Sequence, residues 1–319
     1  QALRMYPSAN ISSASPSRTL DAAYRDLSES SARIYRRQKE DQVFDRIDLT
    51  VMLLASYAKL GSISKHQEYY MQQKNGSLKK KIGYLPVRYP LILVDEFQNY
   101  LPEQLHLLKT CLTSSQQGLL YVGDLSQQVC FGTIRDWNEV GESIPSDRNV
   151  RLEKVYRNTK NILRYIQGLG FTVAIPQKMR EGSAVVERLC SDAFEEQVFV
   201  EKLIREKPDK SIGILCHDGA YLESFRKRCI QKNVYMKTMR EAQGLEFDIV
   251  CIVGIRDDMF DVNAYQDMEE KFQKELMRIY RDLLYIAVTR AMDELIIMGA
   301  ADLKTVTRRL FHAGGAQSL

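Results

Sequence analysis

The stretch Leu91-Ile92-Leu93-Val94 runs straight into Asp95 and Glu96, with Gln98 and Asn99 just behind. A short, wholly apolar run reads as a buried parallel strand. Ligands of open parallel sheets gather beyond the carboxyl ends of the strands. Two adjacent carboxylates at such an end suit a magnesium–nucleotide reaction. One holds the hydrated cation; the other orients or deprotonates the attacking water. The same pair can instead cap the helix that follows. A second apolar run, "GLLYV" (118–122), ends in Gly123-Asp124 and leads to Gln127 and Gln128, amides able to sense a terminal phosphate. Tyr156 offers a flat face to a base, and its neighbour Arg157 a guanidinium to a transferring phosphoryl group. A Gly244-Leu245-Glu246-Phe247 turn precedes the apolar run 248–254, and Thr289-Arg290 lies late in a helix before the last apolar run.

These groups need elements to hold them. Strands are expected at 91–94, 118–122, 184–188, 211–217, 234–238, 248–254 and 294–299. Three- and four-residue spacing of Ile47, Val51, Leu54 and Ala58 predicts a helix from Phe44 to Leu60, ending at Gly61. A helix after Pro102 carries Leu101, Leu105, Leu108 and Leu112 on one face. Further helices are expected over 192–206, opened by an Asp192–Glu195 capping box, over 220–231 and over about 267–291. Residues 74–81, "KNGSLKKK", read as a basic turn. Strands alternating with helices give an α/β fold with parallel sheets.

Composition narrows the class. The chain has 319 residues, 45% of them apolar, with no run approaching a membrane span. Six cysteines show no CxxC spacing, so neither a zinc site nor a disulfide framework is expected, and a reduced, cytoplasmic setting is. Residues 1–90 hold 15 Lys/Arg against 8 Asp/Glu, while the rest holds 30 against 33. A basic first third suits a polyanion partner, or a solvated helical face.

Taken in order, the clusters resemble the UvrD/Rep-type superfamily 1 helicases over roughly residues 85–300. Motif II is Val94-Asp95-Glu96-Phe97-Gln98-Asn99; motif III is Gly123-Asp124-Leu125-Ser126-Gln127. Motif IV centres on Tyr156-Arg157, motif V on Gly244-Leu245-Glu246-Phe247, and motif VI on Val288-Thr289-Arg290-Ala291. The resemblance implies two RecA-like P-loop NTPase-type domains, the first truncated at its N-terminus. Residues 1–88 would be its helical, variable part, 89–148 its remainder, and 149–319 the second domain. It implies that Asp95 holds Mg²⁺, Glu96 is the general base, and Gln127 meets the γ-phosphate of ATP and the water. Tyr156 would stack on adenine, Glu246 bind ribose beside Gly244, and Arg157 and Arg290 reach the γ-phosphate. Thr238 and Arg240 would contact nucleic acid. All would line a cleft whose closure moves single-stranded or partly duplex DNA, or RNA, across both domains, 3′ to 5′ by family analogy.

The chain departs from that pattern. It contains no Gly-Lys dipeptide and therefore no G-x-x-x-x-G-K-[ST] phosphate loop. A start at Gln1 rather than Met suggests a piece of a longer protein that carries the loop. Asn99, Gln243 and Arg240 replace the family's usual Asp, Lys and His, and Cys130 stands at a base-stacking aromatic position. Trp137, the one tryptophan, is either a base contact or a packed anchor. About 85 residues between Arg157 and Gly244 leave no room for the large 2B insertion, which points towards compact HelD-like relatives. Two functions follow: an ATP-dependent DNA helicase or translocase, with this chain inactive alone, or a helicase-like module that binds nucleic acid or a partner such as RNA polymerase without unwinding.

Overall fold

The computed structural model describes residues 16–114, 118–125, 127–150, 152, 157–260 and 269–313. The chain forms two compact units. The first takes residues up to Asp124 and again Thr133–Ser143; the second takes Leu125–Gly132 and the chain from Ile144 onward.

The first unit opens with helices α1 (Pro16–Ala23), α2 (Glu29–Glu40) and α3 (Arg46–Leu60). Asp45 caps α3 by accepting the Ile47 and Asp48 N–H groups, Asp48 accepts the Asp45 N–H in return, and Gly61 ends the helix at φ +67°. The expectation of a helical first part then fails. Residues 64–86 form an antiparallel ribbon of β1 (Ser64–Gln72) and β2 (Leu78–Pro86), so Leu78–Lys81 belong to a strand and the turn is confined to 73–77. Most of the ribbon is exposed on both faces, so it carries no apolar alternation by which a strand is read.

Strand β3 (Ile92–Asp95) pairs in parallel with β4 (Leu119–Val122), joined through α4 (Pro102–Thr110). Val94 is buried. On the other face Leu93 and Leu120 stay 58% and 51% exposed, beside exposed Val122 and Asp95. Parallel sheets ordinarily bury both faces, so this is an unusually bare apolar surface.

The second unit is a five-stranded parallel sheet in the order β5-β9-β8-β6-β7. Its strands are β5 (Val186–Leu189), β6 (Ile212–Cys216), β7 (Val234–Thr238), β8 (Phe247–Ile255) and β9 (Ala291–Gly299); its helices are α5 (Lys160–Gly168), α6 (Ala193–Glu206), α7 (Gly219–Arg226), α8 (Glu270–Thr289) and α9 (Leu303–Ala313). Alternation sorts the core. Leu215, Val250, Ile252, Leu295 and Ile297 pack with α5, α8 and α9. Ile214, Ile249, Cys251, Ile296 and Met298 pack with α6 and α7. Asp192 caps α6 through the Glu195 N–H, but the box is not reciprocal: the Glu195 carboxylate takes the Ser191 N–H and pairs with Arg188.

Residues 125–132 were expected in the first domain and instead pack with the second unit. Val129 is buried in its core. The Gln128 N–H donates to buried Asp282 (3.2 Å) and the Gly132 N–H to buried Glu275 (2.8 Å), both on α8. Two backbone donors with carboxylate partners fix this segment to the helix. Among the described residues no helix is long and apolar enough to cross a membrane.

Candidate functional site

In the first unit, β3 delivers Asp95 to an exposed strand end, where its carboxylate accepts the Glu96 N–H at 2.9 Å. Glu96 sits in the left-handed region at φ +51°, a conformation that costs a residue with a side chain about 1–3 kcal/mol and must be held by its surroundings. Two features hold it. Gln98 is fully buried; its Nε2 donates to the Glu96 carboxylate (2.6 Å) and its Oε1 accepts the Asp124 N–H (3.1 Å). One amide therefore ties the end of β3 to the end of β4. Gly123 permits that approach, since a Cβ there would lie 2.1 Å from Gln98 Oε1. Beneath the turn, Phe97 stacks on Trp137 with ring centroids 4.7 Å apart, and Tyr121 packs against both. Half-buried Trp137 thus packs under the turn that carries Glu96.

The remaining site residues belong to the second unit and gather around the loop before β8. Arg157 pairs with Glu246 at 2.7 Å. Next to it, Arg290 Nη1 donates to the Leu245 carbonyl (3.1 Å), and the Phe247 N–H donates to the Arg290 carbonyl (3.0 Å). Gln243 Nε2 reaches the Gln127 carbonyl at 3.5 Å. Gln127, Arg157, Gly244, Glu246 and Arg290 therefore meet at one loop. The two arginines differ in kind. Arg157 is exposed; Arg290 is 6% exposed, and its guanidinium also bonds the Ile286 carbonyl and the Thr289 hydroxyl. The exposed Arg157–Glu246 pair contributes about 0–1 kcal/mol, little enough for a ligand to exchange into it. Tyr156 lies outside the described residues.

Thr238 ends β7, and Arg240 follows it. The Thr238 N–H and hydroxyl donate to the Glu241 carboxylate (2.9 and 3.0 Å), which these bonds hold below the usual carboxylate range. Arg240 Nη1 lies 4.0 Å from Cys130 Sγ, so the cysteine at the expected stacking position is in contact with the loop itself.

Three positions were not singled out from sequence. Buried Asn158 donates through Nδ2 to the Thr289 (3.0 Å) and Ala291 (2.7 Å) carbonyls, straddling Arg290 and fixing the Arg157 backbone beside it. Arg180 pairs with Asp293 and reaches the Arg157 carbonyl at 3.3 Å. Across the carboxyl ends of β6 and β8, where the strand order reverses, a cavity of about 420 Å³ is lined by His217, Asp218, Arg256, Phe260 and Tyr280 among others. The buried Glu196 carboxyl, pushed up to about 7 by desolvation, accepts the Gly254 N–H at its rim. These roles use backbone groups far away in sequence, which no local pattern announces.

A metal can be tested against this donor set. Among the described residues no three His, Cys, Asp or Glu side chains gather into a cation cage. One exposed carboxylate with a second beside it fits a magnesium ion that arrives with phosphate oxygens and water and needs one or two carboxylates from the protein.

Comparison with known proteins covers much of the chain. A family model for the UvrD/REP helicase N-terminal domain matches residues 5–131, and one for the UvrD-like helicase C-terminal domain matches 206–301. The first extends the likeness well ahead of residue 85, where the motifs begin. DNA helicase II of Escherichia coli (strain K12) and that of Salmonella typhimurium (strain LT2) are each 33% identical over 82 residues, 26% of this chain. The chain spans 11% of the length of these curated relatives. Among solved structures, the C-terminal domain of a possible DNA helicase from Lactobacillus plantarum WCFS1 is 17% identical with a TM-score of 0.35, covering 50% of this chain and 96% of that one. The Arterivirus nonstructural protein 10 helicase is 17% identical with a TM-score of 0.34, covering 72% of this chain and 42% of that one.

Proposed function

Because the chain belongs to the UvrD/Rep-type helicase family, we propose that it supplies the carboxylate, arginine and nucleic-acid-contacting parts of an ATP-driven translocase working 3′ to 5′ on single-stranded DNA. The observation that carries this reading is the gathering of Gln127, Arg157, Glu246 and Arg290 at one loop of the second unit. Four motif positions spread over more than 160 residues meet there.

The roles are those that the family resemblance implies. Asp95, exposed at the end of β3, would hold Mg²⁺ through water, and Glu96 would accept the proton of the attacking water. Gln98 keeps the Glu96 carboxylate aimed, so the base is set before substrate arrives. Magnesium supplies charge neutralisation on the β- and γ-phosphates. Arg157, held by a weak surface pair, turns from Glu246 to phosphate, which releases Glu246 to the ribose hydroxyls. Arg290, braced on three sides, positions the loop that carries Glu246 and meets the γ-phosphate when that loop shifts. Tyr156 would cover the adenine. Thr238 and Arg240, on the same loop, would link this exchange to the nucleic-acid strand.

The sequence holds no Gly-Lys, so in this reading the motor would need a phosphate loop joined to the chain. The bare apolar face of β3 and β4, on which Asp95 also lies, is where a segment bearing that loop would pack. The missing dipeptide also favours a second reading, a module that engages nucleic acid or RNA polymerase without unwinding. Mant-ATP binding and single-strand-stimulated phosphate release, measured for the chain alone and with a phosphate-loop segment joined ahead of it, separate the two. Turnover appearing with the segment supports the motor. Nucleic-acid binding without turnover in either form supports the module.

A further inference from the structure

The β1–β2 ribbon has no part in the site described above, and its chemistry is unlike the rest of the first unit. Its base is anchored: the Val87 N–H donates to the Ile63 carbonyl at 2.7 Å, and both side chains are buried with Leu107 and Cys111. Beyond that base the two nine-residue strands run out into solvent. The turn is set by Asn75, whose side chain accepts the Ser77 N–H, and by Gly76 at φ +84°. Sequence 64–86 holds five lysines and a single acid, Glu68, which pairs with Lys80 at 2.7 Å.

The register sorts these side chains. Residues directly opposite in an antiparallel pair share a face. Lys65 faces Leu85, Gln67 faces Gly83, Tyr69 faces Lys81 and Met71 faces Lys79. One face therefore presents Lys65, Lys79 and Lys81 around Tyr69. That ring lies over Gly83, where a Cβ would come within 3.4 Å of Tyr69 Cε1. Glycine lets the half-buried ring lie against the backbone, with a lysine directly across. Lys79 and Lys81, two residues apart, are spaced by about 6.6 Å along the strand.

We propose that this face of the ribbon is an auxiliary contact for single-stranded nucleic acid, with Lys65, Lys79 and Lys81 on phosphates and Tyr69 stacked on an unpaired base. Net positive charge selects a polyanion, and a ring between lysines selects one whose bases are open to stacking, which a duplex does not offer. The proposal rests on the helicase reading only in that both expect nucleic acid. The ribbon lies in a different unit from Thr238 and Arg240 and is tested separately from them.

The test is fluorescence anisotropy of a labelled oligothymidylate titrated with the whole chain across a range of salt concentrations. It compares wild type, Lys65→Gln/Lys79→Gln/Lys81→Gln, Tyr69→Leu and Tyr69→Phe, each with its urea midpoint measured to establish folding. The triple variant should flatten the slope of log affinity against log salt by about 2, from about 0.7 per single-strand phosphate contact. Tyr69→Leu should weaken binding about 5- to 100-fold at an unchanged slope, Tyr69→Phe should restore it, and a blunt duplex should respond to the lysine changes alone. Wild-type binding with slope and affinity untouched by these variants would overturn the ribbon proposal while leaving the helicase reading standing, and would assign the ribbon to protein docking. No binding by the wild type at low salt would overturn both.

Discussion

Gln98 shows how the smallest part of the site is built. A single buried amide gives its donor to the Glu96 carboxylate and its acceptor to the Asp124 N–H. Gln98→Leu fills the same space and makes neither bond. We expect a loss of about 1–2 kcal/mol in urea unfolding, the net worth of two hydrogen bonds whose other partners, half-buried Glu96 and exposed Asp124, water can still reach. With a phosphate-loop segment joined ahead of the chain, the same change should lower kcat for ATP more than it raises KM, because the base loses its aim while nucleotide contacts remain. Asp95 and Glu96 stood out in the sequence only in company with the later clusters, since two acids after an apolar run can equally cap a helix. Gln98 was visible only as a polar neighbour, and Asn158 not at all. Their partners are a backbone N–H 26 residues on and carbonyls more than 130 residues away.

At the scale of elements, α8 is the organising piece of the second unit. It buries one face of the sheet and turns two acids to the segment 125–132. Burial pushes the Asp282 carboxyl up to about 6, against the opposing pull of Arg281 and Arg278. A carboxyl with a raised folded-state pKa binds its proton more tightly folded than unfolded, so its contribution favours folding at low pH and is lost as pH rises from about 4 through about 6. Asp282→Asn keeps an acceptor for the Gln128 N–H and removes the buried charge. It should therefore stabilise the chain by about 1–3 kcal/mol at pH 8, and the gain should vanish below about pH 4. Urea midpoints at the two pH values check this; a loss of stability at pH 8 would show that the charge itself is needed. Trp137 is half-buried, so Trp137→Ala should cost about 1–3 kcal/mol by removing the support under Phe97 and Glu96; a change under about 0.5 kcal/mol would show that the stack holds nothing.

The inner strands β6, β8 and β9 were legible because their apolar runs, bounded by turns, have one stable use in an α/β protein. The ribbon was not, because a strand exposed on both faces has no hydrophobic period. The placement of 125–132 was also hidden: a segment fastened by two N–H groups depends on where α8 lies, not on its own side chains.

At the scale of the whole molecule, the proposed function rests on phosphate contacts with the nucleic-acid strand. Affinity for single-stranded nucleic acid should fall steeply with salt and depend little on sequence, since phosphate contacts carry it; anisotropy titrations with several unrelated oligonucleotides should give closely similar values. The proposed function needs a phosphate loop, whose amides and lysine grip the β- and γ-phosphates, and the sequence holds no Gly-Lys. Arginines stabilise a transition state only when the phosphate is already in place.

The most direct test is phosphate release from ATP, with and without single-stranded DNA, by chain 1–319 alone, by the same chain with a phosphate-loop segment joined ahead of it, and by that longer form carrying Glu96→Gln. The account predicts negligible turnover alone and DNA-stimulated turnover with the segment. It predicts that Glu96→Gln abolishes turnover while nucleotide binding is kept, because the amide cannot accept the proton. Turnover by chain 1–319 alone that is lost in its own Glu96→Gln variant would contradict the account, since the phosphates would then be held by residues within this chain.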